Sequence, residues 1–130
     1  MQSTRIASIN INGLSADTRV GMLLDFNRRH DLDFVFLQEV TDPAILAVTG
    51  YTTYLNIGAN MRGTAILARY DFPLTNVTSL LTGRAIAADY NGFRLVNVYA
   101  PAGMARRTDR ERFLIQSCRP YFMPPRNLYS

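Results

Sequence analysis

An α/β fold is what this sequence predicts, and three observations carry the prediction. Short apolar runs of strand length, such as Asp33-Phe34-Val35-Phe36-Leu37-Gln38-Glu39, alternate with a segment of helical periodicity. An Asn91-Gly92 dipeptide sits between two β-like runs, the strongest short hairpin signal, because a type I′ turn needs positive φ at both positions. With 130 residues, 48% of them hydrophobic, the chain supports one domain with a real core and shows no repeat or low-complexity tract.

Each element follows from its residues. Residues 5–9 form a first strand that runs into Asn10-Ile11-Asn12-Gly13-Leu14, where Gly13 supplies a turn. Asp17 or Ser15 caps a helix over residues 18–29, with Val20, Leu23, Leu24 and Asn27 marking one side. The core strand ending on Glu39 comes next. Asp42-Pro43 then opens a short helix over 44–48, Asp as N-cap and Pro in the first turn. Residues 51–57 read as a strand, 58–63 as a loop and 64–68 as a fully buried strand. The hairpin pairs 85–90 with 93–99, so that Tyr90 meets Phe93 and Asp89 faces Arg94 as a cross-strand ion pair. Thr108 and Glu111 make a capping box for a helix over 109–118, and Pro120, Pro124 and Pro125 break the chain into a loop.

Charge and cysteine usage narrow the classes. All 14 basic residues are Arg, against 10 acids, for a net charge of +4. Arg presents a planar bidentate fork to phosphate, and a positive balance suits a polyanionic partner, although codon bias accounts equally well for the absence of Lys. No apolar run approaches the ~20 residues needed to cross a bilayer, so no membrane partner is expected. Met1-Gln2-Ser3-Thr4-Arg5 passes straight into a strand, without the pattern of a signal peptide. The single Cys118 excludes an internal disulfide, fits a reducing compartment and reads as a helix core residue. The expected location is intracellular.

Three strands stop on polar groups: Asn10 and Asn12, Glu39, and Asn97 with Tyr99. That pattern predicts one sheet edge carrying a site. Glutamate is scarce, with only Glu39 and Glu111, and the capping box gives Glu111 a structural role. Glu39 at the tip of a buried strand is where a hard cation such as Mg²⁺ would find a carboxylate, since that ion takes one or two protein carboxylates and fills its shell with water and phosphate. Asn10 and Asn12 could otherwise close a turn through their side chains. Arg84 fits either a phosphate contact or a salt bridge, and Arg62 either a solvated or a DNA-facing role. The 106–112 run reads as a solvated helix start. His30 closes the first helix, where a cation favours the macrodipole, and is misplaced for a catalytic base.

Ser8-Ile9-Asn10-Ile11-Asn12-Gly13-Leu14, Leu37-Gln38-Glu39, Gly63-Thr64-Ala65-Ile66-Leu67 and Asn97-Val98-Tyr99-Ala100-Pro101 resemble, in that order, motifs of the endonuclease/exonuclease/phosphatase superfamily. The wording is closest to the apurinic-type endonuclease domain of LINE-like (non-LTR) retrotransposons, and the resemblance runs from Ile6 to about Phe122. It implies a two-sheet β-sandwich flanked by helices, the DNase I-like fold. It implies Mg²⁺, with Mn²⁺ as an alternative, held by Glu39 with Asn12 as a neutral oxygen where DNA-repair relatives carry Asp. Asn10 and Tyr99 match residues at the scissile phosphate, with Arg62 and Arg84 as further phosphate contacts. The implied activity is nicking of duplex DNA, nuclear if chromosomal, with a reverse transcriptase domain in cis in the full-length protein. A phosphatase for small or lipid phosphates and a non-catalytic remnant or binding module are the competing readings. Ala102 stands where many relatives have Asn. The family's later motifs, Asp-x-Asn, a further Asp and an Asp-His pair, do not occur in these 130 residues. Residues 1–130 are therefore expected to be the N-terminal portion of such a domain, incomplete as a sandwich, inactive alone and poorly soluble.

Overall fold

The computed structural model describes residues 4–11, 17–42, 46–47, 49–58, 62–81 and 83–100. Contacts divide the chain into Met1–Tyr99 and Ala100–Ser130, and every element below lies in the first unit. The expected helix over 109–118, the prolines after it and Ala102 lie outside the described residues, as do Asn12, Gly13 and Ser15.

The first sheet has the order β1-β2-β4-β3, built from β1 (Ile6–Asn10), β2 (Phe34–Val40), β4 (Gly63–Ala68) and β3 (Thr52–Ile57). β1 and β2 run parallel and the other pairs antiparallel. A parallel pair needs a crossover, and α1 (Asp17–His30) provides it. Arg28, Arg29 and His30 in its last turn complement the negative end of the helix dipole. Leu23 on α1 packs with Val35, Leu37, Val40, Ala65 and Leu67 on one face of the sheet. Leu24 and Phe26 join the same cluster, while Asn27 is buried beside it.

β5 (Thr75–Leu80), β6 (Ala85–Tyr90) and β7 (Phe93–Val98) form an antiparallel meander that covers the other face. Between the sheets lie Phe34, Ile66 and Ala68 from the first and Ile86 and Ala88 from the second, with Leu74. β2 and β4 are thus buried on both faces, which is why they read as continuous apolar runs rather than as alternation. The hairpin forms as its sequence requires: Asn91 and Gly92 have φ of 49° and 82°, Tyr90 pairs with Phe93, and Arg94 Nε lies 3.0 Å from Asp89 Oδ1.

One strand was not expected, and two expectations need correction. β5 had no sequence signal, because Thr75, Asn76, Thr78 and Ser79 are polar and the strand is exposed on both faces until Leu80. The fourth strand begins at Gly63, one residue early. Finally, the polar strand ends do not share one sheet edge: β1 and β2 belong to the first sheet and β7 to the second. They share an end of the sandwich instead. In the segment expected as a short helix over 44–48, Leu46 and Ala47 adopt a 3₁₀ conformation and Thr49 Oγ1 donates to Leu46 O at 2.7 Å.

Candidate functional site

Glu39 is placed by a β-bulge. Gln38 pairs with Thr64 on β4, yet the next pair is Val40 with Gly63, so two residues of β2 oppose one of β4. Glu39 is the extra residue and adopts φ 57°, in the left-handed region that side chains other than glycine enter at a cost. The consequence is a change of face. Strict alternation would send Glu39 to the helix side with Val35 and Leu37. The bulge instead gives that place to Val40, which packs in the helix-side cluster, and turns Glu39 toward the second sheet. There its Oε1 accepts a hydrogen bond from the Tyr99 hydroxyl at 2.5 Å.

Tyr99 follows β7, held by its own backbone: its N–H donates to Arg84 O at 2.7 Å. The Arg84 guanidinium lies 5.1 Å from the Tyr99 ring centroid, within cation–π range. Among the described residues Arg84 forms no ion pair, so the salt-bridge alternative finds no partner there. The phenol's pKa is raised above its usual 10.0, first by the bond to Glu39, then by burial and the Glu39 charge, while the positive charges of Arg84 and Arg62 pull it down. Tyr99 is accordingly a neutral O–H donor at physiological pH.

Arg62 and Arg84 are brought together by Gly83. Gly58 N donates to Arg62 O at 2.8 Å, closing the loop between β3 and β4. Gly83, at φ 81°, packs so tightly on that loop that a Cβ would sit 2.6 Å from both Arg62 O and Gly58 N. Asn56 fastens the same junction: its Nδ2 donates to Leu80 O and Ala85 O at 2.9 and 2.8 Å, and its Oδ1 accepts from Gly83 N at 3.0 Å.

Of the sequence-predicted site residues, Glu39, Tyr99, Arg84 and Arg62 therefore converge. Asn10 ends β1 opposite Gln38, one strand spacing of about 4.8 Å from the chain that carries Glu39. Asn12 lies outside the described residues. His30 sits at the far end of α1, near the start of β2, with the Phe26 ring tilted against it at a centroid distance of 4.4 Å. The bulge and the buried Gln38 were not expected from the sequence, where the signal for Gln38 was a polar residue at the end of an apolar run; Asn97, expected as a polar strand end at the site, is instead buried behind it.

Chemically, the arrangement sets one carboxylate and one neutral hydroxyl beside two guanidinium groups. That combination suits an anion whose charge is shared with a cation. Among the described residues no group of three or more His, Cys, Asp or Glu could enclose a metal by itself. One hard-oxygen ligand in a partly open setting still fits Mg²⁺, which keeps several waters and relies on few protein carboxylates.

The comparisons with known proteins agree with this geometry at the level of fold. Residues 7–122 match the model of the Endonuclease/Exonuclease/phosphatase family. An AP endonuclease from Archaeoglobus fulgidus superposes with a TM-score of 0.67 at 20% identity, covering 88% of this chain and 48% of that one. A 3′ phosphatase, NExo, from Neisseria, solved bound to product DNA hairpin, gives 0.66 at 23% identity over 88% of this chain and 48% of the other. A mannosyl-6-phosphatase from Bacteroides thetaiotaomicron gives 0.65 at 17% identity, over 88% and 58%. This chain spans about half the length of the first structures it matches. No curated protein matches it. With two apposed sheets of the DNase I-like kind and a family match over nearly its whole length, the chain belongs to the endonuclease/exonuclease/phosphatase family.

Proposed function

We propose that this chain contributes the Glu39 side of a metal-dependent phosphodiester hydrolase acting on DNA, as the N-terminal portion of a larger endonuclease domain. The observation that carries the proposal is the Tyr99–Glu39 hydrogen bond of 2.5 Å with Arg84 stacked beside it. Members of the superfamily generally use divalent metals, and Glu39 is the residue that would hold Mg²⁺, or Mn²⁺, here, with Asn12 as a second oxygen. Such an ion supplies Lewis-acid stabilisation of the phosphoryl and leaving oxygens when bound. The protein's own groups do the rest. The single Tyr99 O–H, held here by Glu39 Oε1, would turn to the phosphate once a cation takes up that carboxylate, and a donor aimed at charge developing there lowers the barrier. Arg62 and Arg84 neutralise the non-bridging oxygens, and Asn10 orients the group through its amide.

DNA as the partner is supported by the Neisseria relative, whose structure holds a product DNA hairpin. The Asn-x-Asn-Gly-Leu and Tyr-Ala-Pro wording favours a retroelement nuclease, working on duplex DNA in the nucleus, with a reverse transcriptase in cis. The remaining catalytic groups, including the base that activates water, are assigned to sequence beyond these 130 residues.

The test is a plasmid-nicking assay with Mg²⁺ on two proteins. The 130-residue chain is expected to show no turnover above background. A version extended through the second half of a relative is expected to nick, and Glu39→Ala or Tyr99→Ala to abolish nicking with the fold intact. Hydrolysis of sugar or lipid phosphates by the extended protein, without nicking, would replace this reading with the phosphatase one.

A further inference from the structure

Behind the site, the first sheet carries one polar residue from each strand in a single cross-strand row. Asn10 pairs with Gln38, Gln38 with Thr64, and Thr64 with Asn56. The apolar layer between the sheets lies on one side of that row, at Phe34, Ile66, Ile86 and Ala88. Glu39, Arg62, Arg84 and Tyr99 lie on the other.

One residue of the second sheet is inserted into this row. Asn97, 1% exposed, donates through Nδ2 to Leu37 O at 2.9 Å and to Ala65 O at 2.8 Å, two residues that face each other across β2 and β4. Its Oδ1 accepts from Gln38 Nε2 at 2.8 Å, and Gln38 Nε2 also donates to Ser8 Oγ at 2.9 Å. A single carboxamide thus ties β7 to β2, β4 and, through Gln38, to β1.

Apolar packing between sheets is non-directional and tolerates small slides. Hydrogen bonds are not so tolerant. Asn97 and Tyr99 are two residues apart on one strand path and so project to the same side. Gln38 immediately precedes the bulged Glu39. The two hydrogen-bonded anchors are therefore each one or two residues from the two ends of the Tyr99–Glu39 bond.

We propose that Asn97 is a positioning residue, whose buried carboxamide sets the register of the second sheet against β2 and thereby places the Tyr99 hydroxyl on Glu39. The inference rests on the reading of Glu39 and Tyr99 as the reactive end of the molecule. It predicts more than stability. Loss of a staple that merely held the sheets together would lower the melting temperature and leave the Tyr99 environment unchanged in the folded state.

The experiment is NMR of the chain labelled with ¹³Cζ-tyrosine, the Tyr99 signal being assigned by its loss in Tyr99→Phe. Glu39→Ala gives the reference position for a Tyr99 hydroxyl without its carboxylate. Asn97→Leu keeps the branched shape, at a somewhat larger volume, and removes every side-chain hydrogen bond; its Tyr99 signal is expected at least halfway to that reference, with Tyr54 and Tyr90 unmoved. Phe34→Leu, which destabilises the layer between the sheets, should leave the Tyr99 signal in place. Where Asn97→Leu loses its dispersed spectrum, Gln38→Met is read by the same criterion. A Tyr99 signal at the wild-type position in the folded variant overturns the proposal. Because the readout is geometry, a shifted signal in a protein whose extended form never nicks DNA would sink the functional reading and keep this one.

Discussion

Replacing Glu39 by glycine and by alanine separates the backbone of the bulge from the chemistry of its side chain. Both variants lose the carboxylate and leave Tyr99 without its acceptor, so that loss cancels in the comparison. What remains is the backbone at φ 57°. An L-residue in the left-handed region costs roughly 1–2 kcal/mol, from which glycine is exempt. Glycine gives back about 0.5–1 kcal/mol through its larger loss of freedom on folding. The balance favours Glu39→Gly over Glu39→Ala by ~0.75 kcal/mol at mid-range. For a folded unit of this size that is a melting temperature higher by about 3–6 °C. At an ordinary strand position the order is reversed, alanine outlasting glycine. Thermal unfolding followed by circular dichroism on the two variants side by side reads the sign directly. Alanine equal to or above glycine would refute the bulge as the device that turns Glu39 toward Tyr99.

Two further outcomes follow from the same geometry. Gly83→Ala should destabilise by at least ~1–2 kcal/mol from the left-handed backbone alone, with the Cβ contacts at 2.6 Å adding to it, and a chemical denaturation midpoint that does not fall would contradict the packing of the two arginine loops. Tyr99 has a raised pKa, so its neutral form is favoured by the fold; the stability it contributes is complete below about 10.0 and is lost as pH rises through the higher folded value. Wild type should therefore lose stability above pH 10 more steeply than Tyr99→Phe, and parallel profiles for the two proteins would deny the hydrogen bond to Glu39.

The elements that were legible in the sequence are those whose environment is set by neighbours in the chain. The Asn91-Gly92 turn dictates its own backbone, and with it the Tyr90–Phe93 register and the Asp89–Arg94 pair. β2 and β4 announce themselves because burial on both faces demands unbroken apolar runs. β5 was invisible for the opposite reason: residues 75–79 are exposed on both faces, so nothing imposes a period on them. The bulge at Glu39 was equally hidden, since it arises from a mismatch between β2 and β4 that appears only when the two strands are paired. For the site, local pattern alone placed a carboxylate at a strand tip. The association of Glu39 with Tyr99 was expected from the polar strand ends as well as from the resemblance, but it crosses between the two sheets of the sandwich rather than along one sheet edge. Asn97 read as a polar strand ending, yet it is buried and hydrogen-bonded to Gln38, Leu37 and Ala65 behind the site.

The central claim is that Glu39 offers a divalent cation a place beside Tyr99 and the two arginine loops. Paramagnetic broadening by Mn²⁺ tests it without requiring turnover. On titration of the ¹⁵N-labelled chain, the amide signals of Gln38, Glu39, Val40 and Tyr99 should broaden first, recover on addition of a chelator, and stay sharp in Glu39→Ala at the same Mn²⁺ concentration. Broadening that is unchanged in Glu39→Ala, or that centres on another carboxylate such as Asp25 or Asp89, would contradict the account.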